Sequence, residues 1–162
     1  MGDMLVRLYN LPDGTEHMRR LAAQGITVRR AMPYEKHLVL DWVEQQFSRR
    51  WASECDVAFS NQPISCFVAT QAGAIVGFAC YDATCKGFFG PTGVLEALRG
   101  RGIGQGLLLA TLEAMWALGY GYAAIGWIGP KEFYARTVGA IEIPDSTPGI
   151  YRDMLHEPDR ER

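Results

Sequence analysis

The chain reads as an α/β protein of the α+β kind, a mixed, mostly antiparallel twisted sheet with helices packed on both faces. Three observations predict this. Two apolar runs, Ser65–Thr70 and Ala74–Asp82, are joined by the tight connection Gln71-Ala72-Gly73, which suits an antiparallel hairpin. Apolar residues recur at helical spacing at Leu38, Trp42, Val43 and Phe47, and again at Leu108, Leu112, Met115 and Trp116 beside Leu107 and Thr111. Strand-like runs outnumber helical ones early and alternate with them later, the order of a mixed sheet.

Leu5–Asn10 is a short mixed run ended by the turn signal Pro12-Asp13-Gly14; Thr15 then caps a helix through Gln24 that stops at Gly25. Ile26–Met32 alternates as a strand and Pro33 breaks it. Tyr34–Phe47 and Trp51–Phe59 read as helices. After the hairpin, Lys86–Leu95 is a third strand whose Gly87, Gly90, Pro91 and Gly93 predict a bulge or bend. Gln105–Leu118 is an amphipathic helix closed by Gly119, and Tyr122–Trp127 a further strand. Pro130 opens a helix through Thr137, and Ala140–Ile143 and Gly149–Leu155 read as closing strands.

The 162 residues suit one domain, and 48% hydrophobic with 21% charged residues is the balance of a folded globular chain. A formal net charge of -2 provides no positive field for nucleic acid. The start MGDMLVRLYNLPDG lacks the basic residues and apolar stretch of a signal peptide, and no apolar run is long enough to cross a bilayer. The expected location is the cytoplasm, with no membrane partner. Cys55, Cys66, Cys80 and Cys85 form no CxxC pair and lie far from His17, His37 and His156, which argues against a zinc site. Cys66 and Cys80 fall in apolar strands, where a reduced cysteine acts as a small hydrophobe.

Chemistry concentrates in Arg99-Gly100-Arg101-Gly102-Ile103-Gly104-Gln105-Gly106, between a strand and a long helix. Alternate glycines expose backbone N–H groups, and a helix N-terminus adds unpaired donors and partial positive charge, so the run suits a pyrophosphate. Arg99 and Arg101 add charge beyond that of ordinary solvated loop arginines. The dinucleotide fingerprint GxGxxG is not met, since Gly100 and Gly102 are followed by Gln105, and Gly102 and Gly104 by Leu107. No Gly-Lys-Ser/Thr of a P-loop occurs either.

Arg99, Gly102 and Gly104 match the signature of the GNAT superfamily of N-acetyltransferases: Arg or Gln, two residues, Gly, one residue, then Gly or Ala. The chain resembles that family over roughly Ile26–Leu155, in its order of elements and in Phe133-Tyr134 followed by Gly139. The resemblance implies an N-terminal extension at 1–25, a GNAT-like catalytic domain at 26–162, and acetyl-CoA as cofactor. The pantetheine arm of coenzyme A would pair with backbone near Val94 and Leu95, and its pyrophosphate would meet N–H groups from Arg101 to Gly106, with Arg99 and Gly100 beside it. A backbone N–H at or beside Val94 resembles the family's oxyanion donor. Tyr134 matches the family tyrosine that acts as general acid to the CoA thiolate, although in isolation it reads as a packing aromatic beside Phe133 and Trp127.

The implied reaction is direct transfer of an acetyl group to a primary amine, on a small molecule or a peptide, and family members often pair into homodimers through their C-terminal strands. Many relatives carry an asparagine shortly before the Tyr134 helix, where this chain has Gly126-Trp127-Ile128-Gly129-Pro130. The general base is not singled out: Glu96 and, second, Asp82 are candidates, both at strand ends where an acid is ordinarily just solvated, and a water relay serves equally. Two other readings remain: a non-catalytic acyl-CoA sensor, and a structural domain whose glycine run is only a turn.

Overall fold

The computed structural model describes residues 2–158. Its elements run β1 (Met4–Arg7), α1 (Thr15–Ala23), β2 (Ile26–Arg30), α2 (Lys36–Gln46), α3 (Arg49–Ser60), β3 (Cys66–Gln71), β4 (Ala74–Tyr81), β5 (Phe88–Val94), α4 (Ile103–Ala117), β6 (Tyr122–Ile125), α5 (Lys131–Val138) and β7 (Ile141–Glu142). The strands form one sheet in the order β2-β3-β4-β5-β6-β1-β7. Every ladder is antiparallel except β5 with β6, which is parallel. The mixed, mostly antiparallel sheet expected from the apolar patterning is therefore the fold.

Alternation along the strands sends neighbours to opposite faces. Ala69 and Ala79 join one apolar cluster with Leu21 of α1, Leu107 and Leu112 of α4, and Val138 of α5. Val68, Phe78 and Cys80 join the other, with Val39 and Val43 of α2 and Cys55 of α3. Helices thus cover both faces. The helix α4 is buried on most sides and lies so close over β4 that a Cβ on Gly77 would fall 2.9 Å from Leu107 Cδ1. Trp116, counted on its apolar face in the sequence, stands 50% exposed.

Several boundaries move for identifiable reasons. Gly14, not Thr15, is the N-cap residue of α1, and Thr15 is its first helical residue; Asp13 Oδ1 just ahead accepts from the Thr15 N–H at 2.9 Å and the Thr15 hydroxyl at 2.7 Å. Ser48 caps α3 by accepting from the Trp51 N–H at 3.1 Å, which starts that helix at Arg49. The helix α4 begins at Ile103 rather than Gln105, so the end of the glycine run is helical. Glycine is a poor helix former, but Gly106 is placed by packing: a Cβ there would sit 2.6 Å from Leu21 Cδ1.

Gly149–Leu155, expected to be a closing strand, is not one. Pro148 and Gly149 turn the chain, Gly149 at φ +59, and Tyr151 packs on Trp127 at 5.0 Å between ring centroids instead of joining the sheet. The place beside β6 belongs to β1, which pairs Met4 with Ile125 and Arg7 with Tyr122 on one side, and Met4 with Glu142 on the other. No helix among the described residues is long and apolar enough to cross a membrane.

Leu21 of α1 is 1% exposed and Leu112 of α4 is 0% exposed in the same cluster. Leu21→Ala and Leu112→Ala should each lower stability by about 2–5 kcal/mol in urea unfolding. A loss under about 1 kcal/mol for Leu21→Ala alone would place α1 outside the cooperative core.

Candidate active site

The site begins where the sheet opens. Strands β5 and β6 pair only at Phe88 with Ala124 and Phe89 with Ile125. On the β5 side the glycine-rich stretch does what its composition predicts: register with β4 shifts between Ala79 and Tyr81, and Gly90 takes φ +117 next to Pro91. On the β6 side the chain leaves the sheet at Gly126, and Trp127 adopts φ +49. Between them lies a cleft of about 1620 Å³, continuing to the glycine loop at one end and to α3, the loop after β6 and the segment around Tyr151 at the other.

Register determines what the cleft meets along β5. Leu95 N–H donates to the Val76 carbonyl at 2.8 Å, so the neighbouring pair Val94 and Gly77 is a non-hydrogen-bonded one. The backbone N–H and C=O of Val94 therefore point away from β4, toward the gap. Phe47 covers β5 from the α2 and α3 side; a Cβ on Gly93 would come within 2.4 Å of its ring.

At the far end of β5 a 3-10 turn, Glu96–Leu98, leads into the glycine run. Gly102, at φ +85, is the N-cap residue of α4, and the first-turn N–H groups of a helix lack intrahelical partners. The loop is braced from behind by α1. The His17 imidazole hydrogen-bonds the Gly102 carbonyl at 2.7 Å through Nε2, and the Gln24 amide donates to the Arg101 carbonyl at 3.4 Å. A Cβ on Gly102 would lie 2.8 Å from the His17 ring, so glycine is required both for the backbone angle and for this contact.

Of the residues expected at the site, Val94, Arg99, Gly100, Gly102, Ile103, Gly104, Gln105 and Tyr134 line the cleft. Leu95, Glu96, Arg101 and Gly106 do not. Leu95 borders a separate groove beside α2, Gly106 is buried against Leu21, and Arg101 and Glu96 are exposed outside the cleft. Asp82 is occupied elsewhere, accepting from the Gly87 N–H at 2.7 Å and the Tyr120 hydroxyl at 2.8 Å to close the β4–β5 connection.

Tyr134 is 6% exposed, packed edge-on against Phe89 at 6.2 Å and Phe133 at 5.1 Å. Burial alone pushes its phenol up to about 12, so it stays protonated near neutral pH. Residues that the motif did not indicate share the cleft: Glu54 and Trp51 of α3, Thr84, Trp127 and Tyr151. Trp127 is held by the N-terminal segment, its N–H donating to the buried Asp3 carboxylate at 3.2 Å. A helix over Trp51–Phe59 was legible in the sequence; its cap at Ser48, and which of its side chains faces a cleft, were not.

A splayed mixed sheet with a glycine-rich helix start at the mouth of the gap defines a site for a long, phosphate-bearing substrate. The model for the "Acetyltransferase (GNAT) family" matches residues 35–139, and the chain belongs to that family. Among solved structures, the glucosamine N-acetyltransferase region of a fungal multi-domain GH3 β-N-acetylglucosaminidase is similar at 18% identity and a TM-score of 0.73, over 88% of this chain and 19% of that one. A GCN5-related N-acetyltransferase from Sphaerobacter thermophilus is similar at 24% identity and a TM-score of 0.69, over 88% and 48%. A GNAT family acetyltransferase from Brucella melitensis, solved with acetyl-CoA, follows at 19% identity and 0.55, over 75% and 90%. The chain thus spans less than half the length of the first two. No curated protein matches it by sequence. The family uses acetyl-CoA, and an open glycine loop ahead of a helix start fits its pyrophosphate.

If the His17 contact sets the loop, His17→Ala should weaken acetyl-CoA binding about fivefold in calorimetric titration, the scale of one hydrogen bond of about 1 kcal/mol. Unchanged affinity would show that the loop holds its shape without α1.

Proposed function

We propose that the protein transfers an acetyl group from acetyl-CoA to a primary amine, by direct attack of the amine on the thioester, with Tyr134 as general acid to the departing thiolate. The observation that carries this reading is the single cleft that joins the outward-facing Val94 backbone, the glycine loop and the buried, protonated Tyr134. Acetyl-CoA supplies the activated acyl group and leaves as CoA.

The residues divide the work. The first-turn N–H groups from Ile103 to Gln105, with Arg99 at the rim, hold pyrophosphate through the helix start and a solvent-facing charge. The Val94 N–H serves the pantetheine arm or the thioester oxygen as charge develops there. Tyr134 is walled by Phe89 and Phe133, which keep its phenol neutral and ready to give its proton to sulfur. Arg101 and Gly106 act on the loop through its charge and its packing. Glu96, exposed outside the cleft, would reach an amine only through water. The N-terminal β1 and α1 support both ends of the site through Asp3 and His17.

Two variants test this reading. Arg99→Glu should weaken acetyl-CoA binding at least tenfold, with a steep salt dependence, in calorimetric titration. Tyr134→Phe should retain that affinity while lowering kcat about 100-fold in a thiol-release assay with primary amines. Binding without turnover, or turnover indifferent to Tyr134→Phe, would support an acyl-CoA sensor or another acid; no binding of acetyl-CoA would end the acetyl-transfer reading.

A further inference from the structure

We propose that Glu54 is the group that receives the acceptor: it binds the incoming primary amine as an ammonium and removes its proton before attack. This rests on the acetyl-transfer reading and goes beyond it, since neither the glycine motif nor the matched helix order points to α3 for this role.

The placement carries the argument. Glu54 projects from α3 into the same cleft as Tyr134, about one helical turn after Trp51, and one carboxylate oxygen accepts from the hydroxyl of Thr84, in the β4–β5 connection and also on the lining. It is a partly buried acid in a wall otherwise rich in aromatic and apolar groups, with Trp51, Phe88, Trp127 and Tyr151 around the same space. A carboxylate among aromatic faces recognises an ammonium and disfavours an anion.

The charged and titratable groups that line the cleft with Glu54 are Arg49, Arg50, Arg99, His156, Glu157, Tyr134 and Tyr151. Arg50, four residues earlier on α3, opposes protonation of Glu54 and also donates to the Leu155 carbonyl at 3.5 Å. Arg49, Arg99, His156 and Glu157 of the lining are all exposed to solvent, whereas Glu54 is partly buried. Tyr151 feels Glu54, Asp3 and Cys85, and burial together with those neighbours pushes its phenol up to about 12, so it remains neutral beside the carboxylate. Burial raises Glu54 above the ordinary carboxylate range, against the lowering effects of the Thr84 hydrogen bond and Arg50. A base raised in this way takes a proton from an ammonium more readily than an ordinary surface carboxylate.

The step balances. An ammonium gives one proton to the Glu54 carboxylate, and the freed lone pair forms a C–N bond to the thioester carbonyl. The C–S bond breaks and the thiolate takes the Tyr134 proton. The second N–H proton, lost as the amide forms, restores Tyr134 through solvent. Glu54 releases its proton to water, and the net reaction yields amide, CoA thiol and one proton.

The test compares wild-type protein, Glu54→Gln and Glu54→Asp in thiol release from acetyl-CoA, with a panel of primary alkylamines and with hydroxylamine, which is neutral at assay pH. Glu54→Gln should lower kcat/KM for the alkylamines about 100-fold, abolish the acidic limb of the pH profile, and spare hydroxylamine at least tenfold by comparison. Glu54→Asp should recover part of the activity, and acetyl-CoA affinity should be unchanged in both variants. Activity within twofold of wild type in Glu54→Gln, equal losses with both nucleophile types, or acetyl-CoA binding by wild type with no alkylamine turned over would each overturn the role of Glu54. Failure of wild type to bind acetyl-CoA would instead overturn the acetyl-transfer reading.

Discussion

Everything at the site follows from the parallel pairing of β5 and β6 ending after two residue pairs. Backbone N–H and C=O groups that leave a ladder need another partner, water or ligand. Here the departure is forced from both sides, by the bulge at Gly90-Pro91 and by the left-handed turn at Trp127. The sheet itself survives the opening because β4 holds β5 on its other flank, and because α4 is seated on β4 through the bare Gly77. A ladder continued in register beyond Phe89 and Ile125 would occupy the Val94 backbone with the chain after β6 and leave no cleft between them.

The same opening explains why the N-terminal residues matter to a site they do not line. With only two of the four β6 residues paired to β5, the strand needs support on its other edge, and β1 supplies it through four residue pairs. Asp3, one residue before that strand, fixes Trp127 on one wall, while His17 of α1 and Gln24 just after it hold the carbonyls of the glycine run at the opposite end. The family match begins at residue 35, so these braces come from outside the matched segment.

What could be read beforehand was what depends on neighbouring residues. The β3–β4 hairpin announces itself by two apolar runs and a short connection, the bulge by Gly90-Pro91, and the phosphate-suited loop by alternate glycines before a long apolar helix. Tyr134 was legible only through the family motif, since periodicity alone makes it a packing residue. The position of β1 was not legible, because its partners at 122–125 and 141–142 lie more than a hundred residues away and a four-residue strand carries little pattern. Gly149–Leu155 has the apolar content of a strand but spends it on Trp127 and the cleft. Glu54 offered no signal at all, as an acid on an amphipathic helix is ordinarily solvated and only the tertiary arrangement turns it inward.

The location of β1 also orders the assembly of the molecule in time. Its four residues leave the ribosome before the rest of the sheet, yet the strands on either side of them are made more than a hundred residues later. During synthesis the β3–β4 hairpin can form from local contacts, whereas the half of the sheet around β6 must wait for a loop of more than a hundred residues to close. A nascent chain arrested before residue 122 therefore holds a sheet whose β5 edge has no neighbour, the kind of open strand that chaperones cover and that aggregates extend.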